Sequence, residues 1–224
     1  MQNQVMKVLF VGTHIDDADL AAAGTIQNLA KKDYEIKVLA FSSGSSEVDA
    51  RRRKETAAGV SGILGYKSVF VDMLSKEITL NLVEKIVKEA VKEYKPDLVF
   101  GHSVKDLHHR HRCVAEGTLS GARSVPNYLT FTGPLEMKDS PKCVYFTFGQ
   151  EEMDNKIRVI EMYREVYGNT RYFNREYFLS LATYLGQKAN FYRERERAPL
   201  VGNGMKEGIP YAESFEVERM VNPF

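Results

Sequence analysis

The stretch VLFVGTHIDDADLAAAGTI (residues 8–26) runs a continuous apolar segment straight into a histidine and two adjacent carboxylates, then continues with helical spacing. A run such as VLFV, uninterrupted by polar residues, is the pattern of a strand covered on both faces. Ending it on His14, Asp16 and Asp17, three groups that resist burial, marks the strand end as a place with work beyond packing. Three more segments repeat the strand pattern: YEIKVLAFS (34–42), KSVFVDM (67–73) and PDLVFGH (96–102). Helical patterns lie between them. The first spans about 17–31, with Leu20, Ile26 and Leu29 on one side. The second spans about 49–64, with Asp49 as its N-cap and Gly65 just past its end. The third spans about 78–93, with Leu82, Ile86, Val87 and Ala90 at helical intervals.

Alternating strands and helices predict an α/β fold: a Rossmann-like, doubly wound, mostly parallel sheet in the order 3-2-1-4-5 with helices on both faces. The second half predicts a C-terminal α+β elaboration. It has strands near 128–132 and 143–148, helices near 150–167 and 173–191, and a final strand over YAESFEVERM (211–220). The arginine-rich YRERER (192–197) reads as a solvated helix end, and PLVGNGMKEGIP (199–210) as a loop. With no internal repeat or linker-like tract, residues 1–224 are expected to form one domain.

Composition removes several function classes. Charged residues are 27% of the chain and sum to a formal +1, so no global field draws it to nucleic acid or an anionic membrane. No segment approaches the roughly 18 apolar residues of a membrane span, and MQNQVMKVLFVG reads as a first strand rather than a signal peptide. Cys113 and Cys143 have no CxxC spacing and are expected to be reduced thiols. The expectation is a cytoplasmic globular protein.

In a doubly wound sheet the strands flanking the reversal of order are the first and fourth, and ligands bind beyond their carboxyl ends. THIDDAD follows the first and GHSVKDLHHRHR the fourth, and all five histidines of the chain fall in these two segments. Helix capping explains one aspartate there, but it gives no reason for five confined histidines. The chemistry suggested is Zn²⁺, or a similar divalent ion, held by two histidines and a carboxylate with a position open for water. A second, unligated carboxylate would serve as the base of a hydrolase.

These residues resemble the LmbE/PIG-L family of zinc-dependent N-acetylglucosaminyl deacetylases. The family's H-P-D-D-x-E-L and G-G-T-I are met by His14-Ile15-Asp16-Asp17-Ala18-Asp19-Leu20 and Ala23-Gly24-Thr25-Ile26. Its D-x-H-x-D-H-R is met by Asp106 to Arg112, its R-x-x-E and L-G by Arg52, Glu55, Leu64 and Gly65, and its Y-A-E-x-F by residues 211–215. The resemblance implies metal ligation by His14, Asp17 and His111, with Asp16 as general base and His108 supporting the oxyanion. It places Arg52, or a neighbour, and Asp19 weakly on the substrate side. It further implies a small amino-sugar conjugate as substrate, losing acetate. The chain departs from the pattern at Ile15, Asp19, Glu165-Val166 and above all Arg110, where the family carries an aspartate beside a ligand. Two rival readings keep the fold: a catalytically inactive metal- or sugar-binding module, and a metal-free sugar-phosphate or nucleotide enzyme. FSSGSSE (41–47) reads as a flexible lip of the crevice because it lacks either phosphate-loop pattern. The aromatics between 163 and 192 favour core or subunit contact, which leaves a homo-oligomer open.

Overall fold

The computed structural model describes residues 5–44, 46–131, 143–168, 172–194, 200–201 and 211–221. The first half alternates strictly: β1 (Lys7–His14), α1 (Asp17–Ala30), β2 (Glu35–Ser42), α2 (Glu47–Leu64), β3 (Lys67–Phe70), α3 (Leu80–Tyr94), β4 (Leu98–His102), α4 (His109–Gly121) and β5 (Asn127–Phe131). The second half adds β6 (Cys143–Phe148), α5 (Gln150–Tyr167), α6 (Arg175–Glu194), β7 (Leu200–Val201) and β8 (Tyr211–Met220). Of the loop read at 199–210, residues 200–201 form β7, and the rest, with the arginine-rich residues 195–197, lies outside the described residues.

All eight strands join one sheet in the order β3-β2-β1-β4-β5-β8-β6-β7. The five expected strands stand in the expected order and are parallel. β8 then inserts antiparallel between β5 and β6, which brings the C-terminal segment into the sheet ahead of its predecessors. Alternate residues of β1 enter separate cores. Val8 and Phe10 pack with Leu20, Ile26 and Leu29 of α1 and Ile160 of α5, whereas Leu9 and Val11 pack with Val83 and Val87 of α3 and Val114 of α4. Helices therefore cover both faces, which explains why the strands carry uninterrupted apolar runs. Among the described residues, no helix is long and apolar enough to cross a membrane.

Two local expectations shift. The N-cap of α2 is Ser46 rather than Asp49: the Ser46 hydroxyl accepts from Asp49 N at 3.2 Å, satisfying a donor the first turn leaves orphaned. The buried face of α3 is Val83, Val87, Val91 and Tyr94, while Leu82 is 36% exposed. Of the face read off the sequence, Val87 is buried and Ile86 and Ala90 pack at its edge, so only Leu82 falls outside it. Gly65 does close α2, at φ 84°, a left-handed position suited to glycine.

Candidate metal centre

β1 and β4 are neighbours at the reversal of strand order, and they end on His14 and His102. From β1 the chain turns directly into α1, so Asp16 and Asp17 stand at the helix start. From β4 it makes a short turn holding Asp106 and enters α4 with His108, His109 and His111 in its first turn. The two turns meet. His111 Nε2 lies 3.3 Å from His14 Nδ1 and 3.6 Å from Asp17 Oδ1, and His14 Nδ1 lies 3.5 Å from Asp17 Oδ2. Ligand atoms at about 2.0–2.2 Å from a tetrahedral zinc lie about 3.3–3.6 Å from one another. One ligand atom from each of these three groups lies within 4.8 Å of the other two, so together they could hold a metal ion.

Asp16 stands apart from this set. It occupies the N-cap position of α1, yet its side chain makes no capping hydrogen bond. Tyr167, the last residue of α5, instead donates its hydroxyl to Asp16 Oδ1 at 3.0 Å. Burial and the charge of Asp17 raise the Asp16 carboxyl above its ordinary range. Burial opposes ionisation of Asp17 too, but His111, His102 and His14 outweigh it and hold that carboxyl well below its ordinary value. The two adjacent acids are thereby shifted in opposite directions. His108 is exposed at the N-cap of α4, with its ring 4.5 Å from that of His111 and 5.7 Å from that of His14. Protein packed beneath it and the neighbouring imidazoles push it down to about 4, so its ring is neutral at pH 7.

The structure does not bring the two expected substrate-side residues to the surface of the site. Asp19 is wholly buried, its Oδ2 accepting from Tyr66 at 2.9 Å and Tyr163 at 2.6 Å. A substrate does not reach it, and its place is beneath the centre. Arg52 is exposed on α2. Its neighbour Arg53 is the one turned inward, with its guanidinium 4.0 Å over the ring of Tyr167. Arg110 sits half-buried in α4, and the acid beside His111 is Asp106, whose Oδ2 is 3.0 Å from His111 Nδ1. His102 and Tyr167 went unassigned in the sequence. His102 is 1% exposed and lies 3.0 Å from Asp17 Oδ2 through Nε2. Burial disfavours its charged form, but Asp17 and Asp106 lift it to about 9. A cleft of about 430 Å³ opens between the turns after β2 and β3, lined by Ser43, Ser46, Arg51, Lys54 and Asp72, and none of the cluster residues lines it.

The family model for GlcNAc-PI de-N-acetylases, PIG-L, matches residues 9–121, just over half of the chain and the whole of both turns. The chain belongs to the PIG-L family. Within reach of this PIG-L protein in sequence is YaiS of Escherichia coli K12, an uncharacterised deacetylase, 24% identical over 161 residues that cover 65% of this chain and 87% of that protein. Among solved structures, the N,N'-diacetylchitobiose deacetylase of Pyrococcus horikoshii superposes with a TM-score of 0.72 at 17% identity, covering 96% of this chain and 84% of that one. GalB of Pseudomonas putida KT2440, a 4-carboxy-2-hydroxymuconate hydratase, superposes with a TM-score of 0.75 at 18% identity, covering 98% and 100%. At these identities the structural likeness establishes the fold of this PIG-L member, and its chemistry has to be argued from the site.

Proposed function

We propose that the chain is a zinc-dependent N-deacetylase, hydrolysing the acetamide of an N-acetylglucosamine-containing small molecule to acetate and a free amino sugar. The observation that carries this reading is the pairing of a three-ligand cluster, His14, Asp17 and His111, with an unligated acid beside it, Asp16, whose carboxyl is raised above its ordinary range by burial and by Asp17. Zinc bound there supplies Lewis acidity, polarising the carbonyl and lowering the pKa of water toward about 7. Asp16 takes the proton of the attacking water. Because Tyr167 occupies Oδ1, the carboxylate meets that proton through Oδ2. His108, neutral at pH 7, directs a ring N–H at the oxygen of the tetrahedral species. As the C–N bond breaks, Asp16 returns its proton to the nitrogen, and amide plus water balance to acetic acid plus amine, which stand as acetate and ammonium at pH 7.

Acetate release from N-acetylglucosamine conjugates tests this. Wild type should liberate acetate. Asp16→Ala should lose activity by about 10²–10⁴-fold, the range for a positioned acid–base group, with zinc content unchanged. A zinc-loaded wild type that releases no acetate from any such conjugate, or an Asp16→Ala variant with full activity, overturns the reading.

A further inference from the structure

His102 has no part in the chemistry just described, yet it is among the most enclosed polar side chains of the molecule, 1% exposed at the carboxyl end of β4. Its backbone is registered against Phe131 of β5, and the Phe131 ring stands edge-on to the imidazole at 4.8 Å. The other face of the ring stacks on His111, with centroids 4.1 Å apart and planes 22° apart. A phenylalanine or leucine would fill such a space without bringing nitrogens into a dry sheet end, where an unpartnered polar atom is costly.

What the nitrogens touch supplies the reason. Nε2 lies 3.0 Å from Asp17 Oδ2 and 3.1 Å from Thr13 N. Nδ1 faces Asp106 Oδ2 at 3.7 Å, and that same Oδ2 is 3.0 Å from His111 Nδ1. Asp17 Oδ2 is further held by His14 N at 2.7 Å, leaving Oδ1 turned to His111 Nε2. One strand-borne ring thus contacts the carboxylate ligand directly and the imidazole ligand by stacking, while its Nδ1, which makes no hydrogen bond, faces the acid that orients that imidazole.

Resting on the metal reading above, we propose that His102 is a positioning residue of the centre. It fixes which oxygen of Asp17 and which rotation of His111 are presented to a divalent ion, without itself binding the ion. Such outer contacts typically contribute 10–100-fold in metal affinity.

The test is Zn²⁺ affinity by chelator competition, together with the visible spectrum of bound Co²⁺, for the metal-free wild type, His102→Ala and His102→Gln. Circular dichroism checks that each variant is folded. His102→Ala should bind Zn²⁺ about 10–100-fold more weakly and show a shifted Co²⁺ band. His102→Gln, whose amide nitrogen can replace Nε2 beside Asp17, should recover most of the affinity and the band. If the alanine variant does not fold, His102→Asn, which keeps a donor near Nδ1 and loses the Asp17 contact, should show the weakening instead. Wild-type affinity and an unchanged band in folded variants lacking the Asp17 contact overturn the proposal. Folded alanine and glutamine variants that bind no ion also overturn it, by making His102 a ligand. A wild type that takes up neither ion overturns the metal reading itself, and this role with it.

Discussion

Asp16, Asp17 and Asp19 lie within one helical turn of one another, and their surroundings shift their carboxyls differently. Asp17 faces imidazoles and stays ionised, whereas Asp16 faces Asp17 and is raised. Asp19 has the driest setting: burial pushes it up to about 7 against the opposing pull of the Tyr163 and Tyr66 hydroxyls, and its Oδ1 has no partner. A carboxyl whose folded pKa lies above its unfolded value of about 3.9 stabilises the fold relatively more at low pH. That advantage is lost as pH rises through 7. Asp19→Asn, neutral throughout, should therefore melt progressively higher than wild type in metal-free buffer as pH rises from 4 to 8. Parallel melting curves across that range would remove the buried-acid account. Reading residues one at a time reached the histidines and aspartates because their types declare their chemistry. It left Arg52 or a neighbour open, and Arg53 is the one turned toward Tyr167, since adjacent helical residues point about 100° apart. It missed Tyr167 because that tyrosine meets Asp16 across 151 residues of sequence.

At the scale of elements, the helix bearing the two site aspartates is interrupted. Ala22 has φ −135° and ψ 18°, which breaks α1 and leaves the amides after it without carbonyl partners. Glu213 of β8 takes their place. Its carboxylate accepts from Gly24 N at 3.1 Å, Thr25 N at 2.8 Å and Thr25 Oγ1 at 2.6 Å, and Lys156 of α5 balances its charge at 2.5 Å. Gly24 is needed there because a Cβ would sit 2.5 Å from the Phe148 ring. The Gly-Thr-Ile and Tyr-Ala-Glu segments, quoted separately in the sequence, are thus two halves of one contact, something a linear reading cannot display. Glu213→Ala strands a buried ammonium and two amides, and should cost about 3–5 kcal/mol as a shift in the urea midpoint. A loss below about 1 kcal/mol, the value of an exposed pair, would show that the network is not holding α1.

Across the whole molecule, strand order was legible where alternation imposed it: parallel strands joined by single helices leave few topologies, and 3-2-1-4-5 is among them. The insertion of β8 was not legible, because antiparallel pairing between distant segments leaves no local pattern. The consequence that matters for function survived. Reversal of order between β1 and β4 places two short turns side by side, and those turns hold every histidine of the chain. The central claim is that both turns grip one ion. Zinc K-edge X-ray absorption on the loaded protein tests it most directly. The account predicts one zinc per chain with two imidazole nitrogens and oxygen in its shell, and the loss of one imidazole signal in His14→Ala and in His111→Ala alike. A chain that retains no zinc, or a shell unchanged by either substitution, would contradict it.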